Sequence, residues 1–232
     1  MIDVALTGDE LRPADIAVVI DVLRATSTAT QALAAGYHRV LCAASLERAQ
    51  ELRAPGRVLA GERNCVKPSG FDQGNSPSEA TNRRGEELVL ATTNGAPTIV
   101  AAVAHAPSVL LACLLNLAAV LSTLLVQPDP AGLALQIVCS GTNGAVALED
   151  AYVAGRIAAR LPGPRTDAAL VAEAVARAFP TAFDALSASA DGGALIEADM
   201  VQDIADCALE SKLEVVPTVV TASNGVAVLT SG

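Results

Sequence analysis

Asp21, Arg24 and the hydroxyls of Thr26, Ser27 and Thr28 stand together where the run Val18-Val19-Ile20 gives way to an alanine-rich stretch. A carboxylate is a natural ligand for a divalent cation, whereas an arginine beside free helix amides suits an anion. β-branched apolar runs of this kind are the mark of a buried parallel strand. Open α/β sheets bind their ligands beyond the carboxyl ends of such strands. The segment therefore sits where an anion and a metal could meet.

Other residues offer related chemistry. Glu62, Asp72, Glu79, Glu149 and Asp150 are the further carboxylates in suggestive places. Asp21 and Glu62 both follow apparent strands and can point into one crevice, as Mg²⁺ bound by one or two carboxylates requires. Each can equally cap a helix or pair with Arg24 or Arg63. Glu149 and Asp150 fall in the first turns of a helix, where acids also complement the helix dipole. Arg24 and Arg63 can grip a phosphate or sulfonate, or simply neutralise the acids beside them. Lys67 reads as a solvated loop charge. Asn75 and Ser76 belong to the long polar loop Asn64 to Thr81, and such loops are uncommon in compact domains unless they are functional. An internal echo links Thr92-Thr93-Asn94-Gly95-Ala96 to Thr142-Asn143-Gly144-Ala145, each after an apolar run and before a helix. Together with the Asp21 segment they predict three helix entrances converging on one anion pocket.

Several familiar chemistries are excluded. There is no Walker A sequence, GxGxxG or GxSxG. The aspartate pair of haloacid-dehalogenase-type phosphatases needs a second Asp two positions after Asp21, where Leu23 stands. Cys42 and Arg48 have the spacing of a cysteine phosphatase, but the intervening residues lack glycine and resemble a capped helix start. His38 and His105 lie far from any cysteine cluster, which argues against zinc.

Stepwise along the chain, strands are expected at Ile2 to Leu6, Ile16 to Val22, Arg39 to Cys42, Val58 to Ala60, Leu88 to Thr92, Val109 to Leu114 and Leu133 to Cys139. Helices are expected at Thr26 to Ala35, Leu46 to Arg53 with Ser45 as its cap, and Ala96 to Ala104. Another should run from an Asn116 cap through Val126, followed by Val146 to Arg160 and Asp167 to Phe179, with more helix suggested at Ala194 and at Asp199 to Leu209. The tail Val215 to Leu229 alternates about Ser223-Asn224-Gly225, the pattern of a β-hairpin. This order predicts an α/β, three-layer α/β/α fold with a mixed, largely parallel sheet. It is read as a single domain over residues 1–232, with two similar halves, about 1–125 and 126–232, as a variant.

Residues are 52% hydrophobic and only 2% aromatic, so the core must be built from Ala, Val and Leu. A formal charge of −10 argues against a nucleic-acid binder. It also means that an anionic substrate needs local help from arginines, helix ends or a metal. Five scattered cysteines without a CxxC pair suggest reduced thiols and a cytoplasmic protein, and the first residues do not read as a signal peptide. From Leu88 to Gln127 there is no Asp, Glu, Lys or Arg, but Asn94-Gly95, Pro97, His105, Pro107 and Asn116 cut the run into pieces too short to span a bilayer. A buried strand–helix–strand–helix unit is expected instead, with no membrane partner. The apolar composition leaves room for a homo-oligomer.

The ordered segments Val19 to Thr28, Ala60-Gly61-Glu62-Arg63, Gly70 to Pro77 and Thr92-Thr93-Asn94-Gly95 resemble the 2-phosphosulfolactate phosphatase family. Asn116 with Ala118-Ala119-Val120, Leu148-Glu149-Asp150, Asp206-Cys207 and Val216-Pro217 extend the likeness. The chain departs from the pattern at Ala96, Cys65 and Pro68, and matches poorly at Gln127 to Leu133 and Pro162 to Asp191. The resemblance implies Mg²⁺-dependent hydrolysis of (2R)-phospho-3-sulfolactate to 3-sulfolactate and phosphate. On that basis Asp21, Glu62 and Asp72 are the expected metal ligands, with Glu149 or Asp150 as general acid or base. Amides at Thr26-Ser27 and Thr93-Asn94 would cradle the phosphate, and Arg24 or Arg63 would hold the second anion. Asn75 and Ser76 complete the expected substrate contacts. A hydrolase for another small phosphorylated or sulfonated acid, or a non-catalytic binder of anionic metabolites, fits the same pocket.

Overall fold

A computed structural model describes residues 1–232. Strands β1 (Ile2–Ala5), β2 (Ile16–Ile20), β6 (Ser108–Ala112) and β7 (Leu135–Cys139) form a parallel block in the order β1-β7-β2-β6. Strands β3 (Arg39–Ala43), β4 (Arg57–Gly61) and β5 (Glu87–Ala91) form a second, in the order β3-β5-β4. The hairpin of β8 (Pro217–Ser223) and β9 (Val226–Ser231) joins them antiparallel, β8 against β6 and β9 against β3. Asn224 and Gly225 take positive φ (49° and 73°), the geometry that makes an Asn-Gly pair favourable in a tight hairpin. The result is one mixed sheet of nine strands, with β7 seated between β1 and β2.

The central strands carry apolar side chains on both faces because helices cover both. On one face, α1 (Ala25–Ala34) and α4 (Gly95–Ala102) pack against residues of both blocks, including Val19, Val40, Leu88 and Leu111. On the other, α5 (Leu117–Leu125), α6 (Leu148–Ala158) and α7 (Asp167–Ala178) cover Val18, Ile20, Leu110 and Ile137, while α2 (Leu46–Glu51) covers Leu41, Leu59 and Val89. Five inter-strand steps separate β2 from β5. In a flat sheet that would be roughly 24 Å. Yet a Cβ on Gly95, just past β5, would collide with the Asp21 side chain just past β2. The sheet therefore curls around α1 and α4, and the small alanine side chains of those helices permit it.

The uncharged stretch folds as the expected unit β5-α4-β6-α5, and no helix is long and apolar enough to cross a membrane. Ser45 caps α2 as expected, its hydroxyl accepting the Arg48 amide at 3.1 Å. Asn116 occupies the cap position of α5 but its side chain does other work. Its Oδ1 accepts the Cys113 amide at 2.9 Å and its Nδ2 donates to the carbonyls of Leu111 and Val215, tying β6 to the C-terminal segment. The long polar loop ends in a short helix, α3 (Pro77–Thr81). The C-terminal third holds α8 (Ala182–Ser187), α9 (Ala190–Glu197) and α10 (Val201–Cys207). The sequence does not signal α8, and of α9 it marks only Ala194.

Candidate active site

The carboxyl ends of β2, β4, β5 and β7 open into a cavity of about 460 Å³. Its wall includes Asp21, Arg24, Glu62, Asn75, Thr93 and Asn94, six of the residues singled out in the sequence. It also includes Asn64, Cys65, Thr142, Asn143 and Asp191, together with Leu195 and Glu197 from α9.

Asp21 lies across two helix starts. Its Oδ1 accepts the Ala25 amide at the head of α1 at 2.9 Å, and the Gly95 amide at the head of α4 lies close enough to favour the charged carboxylate. Gly95 is required by that approach, since any Cβ would strike the carboxylate and Ala25. Burial pushes Asp21 up to about 7, and the charges of Asp191 and Glu62 push the same way against the two amides. Glu62 is held from the β5 side. Its Oε1 accepts the Thr93 amide at 2.9 Å and hydroxyl at 3.0 Å, and its Oε2 accepts the Cys65 amide at 3.2 Å.

These bonds change the expected cradle. The amide of Thr93 and that of Ala25 at the head of α1 serve protein carboxylates rather than a free anion. Thr26 and Ser27 are wholly buried. The Thr26 amide and hydroxyl both donate to the Asp21 carbonyl at 2.9 Å, and the Ser27 hydroxyl donates to the Val22 carbonyl at 2.8 Å. They shape the turn beneath the cavity rather than its wall.

The second TNGA segment does not start a helix. Thr142 to Ala145 closes on itself as a turn, and α6 begins only at Leu148. Its Asn143 amide donates to Asn94 Oδ1 at 3.1 Å, so the two echoes touch, and its Thr142 hydroxyl donates to Asp191 Oδ2 at 2.6 Å. Two helix entrances and one turn thus converge, not three helices.

Asp72 stands outside the wall. It is partly exposed, accepts the Leu59 amide at 2.8 Å and pairs with Arg53, because the bridge between Ala60 and Gln73 lays its segment along β4. Arg63 is exposed and also outside. Asp150 is buried and accepts amides from Val22 (2.9 Å) and Gly141 (3.2 Å), fastening the turns after β2 and β7 to each other. Glu149 is 2% exposed, with Oε2 unpartnered, and lies behind the cavity. Burial, then the Asp191 charge, pushes its carboxyl up to about 8. Ser76 bonds Asp203 rather than facing the cavity. Asn75 is buried in the wall with its Oδ1 unpartnered, a polar group left for a ligand.

Asp191 and Glu197 were missed by sequence reasoning. Asp191 sits in the stretch where the family likeness is weakest, and nothing local marks it. The cavity wall thus carries four acids, Asp21, Glu62, Asp191 and Glu197, against one arginine. No three His, Cys, Asp or Glu side chains are drawn into a ready-made cage. Mg²⁺ asks for less: one or two carboxylates, with water and substrate phosphate as the remaining oxygens. The hard-oxygen donors Asp21 and Glu62 fit it, and their mutual repulsion is what a cation would relieve.

A family model described as 2-phosphosulpholactate phosphatase matches residues 4–222. A relative from Thermotoga petrophila, described as a probable 2-phosphosulfolactate phosphatase, is 37% identical over 235 residues, covering 99% of this chain and 98% of its own. Relatives described in the same words come from Thermus thermophilus (39% over 220 residues, 91% of each chain) and Deinococcus radiodurans (37% over 214 residues, 89% of this chain and 88% of its own).

Proposed function

The chain belongs to the 2-phosphosulfolactate phosphatase family, a family of phosphoric monoester hydrolases, and we propose that it hydrolyses (2R)-phospho-3-sulfolactate to 3-sulfolactate and phosphate with Mg²⁺. The observation that carries this reading is the charge of the cavity. An anionic ester cannot settle among Asp21, Glu62 and Asp191 unless a cation stands between them, and the two best-fixed carboxylates, Asp21 and Glu62, are the donors for it.

Bound by Asp21 and Glu62, Mg²⁺ would neutralise phosphate charge and lower the pKa of an attacking water. The protein's own part is positioning, which dominates phosphoryl transfer. Amides of Ala25 and Gly95 keep Asp21 aimed, and Thr93 does the same for Glu62. Arg24 meets the sulfonate or carboxylate of the substrate, while the side chains of Asn64, Asn75 and Asn94 offer neutral donors around it. Asp191, held by Thr142 through Oδ2, stands between Glu149 and the cavity and is placed to relay a proton from Glu149 to the oxygen that leaves phosphorus. Glu149 behind it is protonated at neutral pH and can supply that proton.

The test is phosphate release from 2-phosphosulfolactate in Mg²⁺ and again in EDTA. Release that stops with EDTA supports the reading. Cleavage of simple phosphomonoesters without cleavage of 2-phosphosulfolactate replaces the substrate and keeps the chemistry. No release from any ester by folded protein rejects it.

A further inference from the structure

Arg24 is the one cation in the cavity wall, and it is 3% exposed. Its hydrogen bonds to protein all run through Nη1, to the Asp203 carboxylate on α10 and to Met200 Sδ at 3.2 Å. The other Asp203 oxygen, Oδ1, accepts the Ser76 hydroxyl at 2.6 Å, and Ser76 in turn lies 2.9 Å from the Ser78 hydroxyl. Asp203 is buried and does not itself reach the cavity. Three segments far apart in sequence, the turn before α1, the loop before α3 and the helix α10, thus meet through one buried ion pair.

We propose that Asp203 is a positioning residue that, braced by Ser76, holds Arg24 so that its Nε and Nη2 are left for the second anionic group of the substrate. This rests on the reading of the cavity as a site for a multiply anionic phosphate ester. A free guanidinium among Asp21, Glu62, Asp191 and Glu197 has four carboxylates to collapse upon, and doing so would cancel both the anion receptor and the metal donors. Pairing through Nη1 with an acid outside the cavity prevents that collapse while leaving part of the fork unspent. A buried ion pair is weak evidence for a purely stabilising role, since desolvation offsets much of its attraction. The position of this one, with the cation at the wall and the anion behind it, is what a receptor needs.

The experiment compares wild type, Asp203→Asn, Asp203→Glu and Ser76→Ala on 2-phosphosulfolactate and on p-nitrophenyl phosphate, which has no second anion. Asp203→Asn should raise KM for 2-phosphosulfolactate roughly 10- to 100-fold, with a smaller change in kcat. Its loss in kcat/KM should exceed that for p-nitrophenyl phosphate by roughly tenfold or more. Ser76→Ala should move in the same direction by a smaller factor and decides the matter if Asp203→Asn does not fold. Asp203→Glu should recover part of the KM. Equal losses on both esters, or no change on either, overturn the proposal. If wild type cleaves neither ester, the phosphatase reading has failed separately. The brace is then judged by calorimetry with 3-sulfolactate: weaker binding to the Asp203→Asn or Ser76→Ala protein than to wild type upholds it, and equal or absent binding overturns it.

Discussion

Two walls of the cavity open on the same tetrapeptide and do different things with it. After β5, Thr93-Asn94-Gly95-Ala96 runs straight into α4, and its amides and its missing Cβ fix Glu62 and Asp21. After β7, Thr142-Asn143-Gly144-Ala145 folds back as a turn and reaches across the space, to Asp191 on α9 and to Asn94 on the facing wall. The first wall is tied down by backbone donors; the second is joined by a few side-chain bonds to a helix of the C-terminal third. An identical string of residues therefore fixes two carboxylates in one place and holds a third in the other, according to what its neighbours present. Fixed carboxylates suit a resident cation, and an acid on a separate helix suits proton traffic.

Substitutions on the two walls should break activity by different amounts. Asp21→Asn is expected to have the largest effect, a loss of roughly 10³-fold or more in kcat with the fold retained, because it removes one of the two charges proposed to hold the metal. Glu62→Gln should cost somewhat less, roughly 10²- to 10³-fold, and its residual activity should rise with added Mg²⁺. Asp191→Asn should cost roughly 10²-fold, the usual scale of one acid or base. That loss should shrink for esters whose leaving group needs no proton, as a p-nitrophenyl phosphate assay would reveal. Thr93→Ala frees Glu62 from one of its two Thr93 bonds and should lower kcat/KM by about tenfold, whereas Thr142→Ala should lower it by only about threefold. Equal losses at Thr93 and Thr142 would erase the distinction between the walls.

Acidity offers a further way to sharpen it. Glu149 is raised to about 8 from an ordinary 4.5, chiefly by burial. The folded state then binds more protons than the unfolded one between those values, so stability falls as pH rises through that window. Metal-free protein should melt several degrees lower at pH 8 than at pH 5. Glu149→Gln should reduce that dependence, leaving the share due to the raised Asp21 and Asp150, and thermal denaturation followed by circular dichroism in EDTA reads it out.

Much of the fixed wall was legible in the sequence. The run Val18-Val19-Ile20 followed by Asp21, and the strand ending at Gly61 before Glu62, place a carboxylate beyond a buried strand, and that signal is local. Whether a helix amide is still free is not local. The sequence offers Thr26, Ser27 and Thr93 as anion donors, but the buried turn encloses the first two and Glu62 takes the amide of the third. Asp72 is offered as a third ligand by the family resemblance of its Gly70 to Pro77 loop, yet its bridge to β4 directs its carboxylate to Leu59 and Arg53. The far wall was less legible still. Asp191 and Asp203 lie on short helices that matter only because the chain folds them back over the sheet ends, a placement set by the burial of their own Leu195, Ile204 and Cys207 in the core. The antiparallel hairpin was readable from Asn224-Gly225, but not its place as the weld between two parallel blocks, since strand order is a tertiary property.

Calorimetric titration of Mg²⁺ into wild type, Asp21→Asn and Asp72→Asn decides whether the cavity carboxylates hold the cation. Wild type and Asp72→Asn should bind alike, while Asp21→Asn should bind more weakly by roughly tenfold or more. Binding that survives in Asp21→Asn and vanishes in Asp72→Asn would contradict that expectation and move the metal out of the cavity.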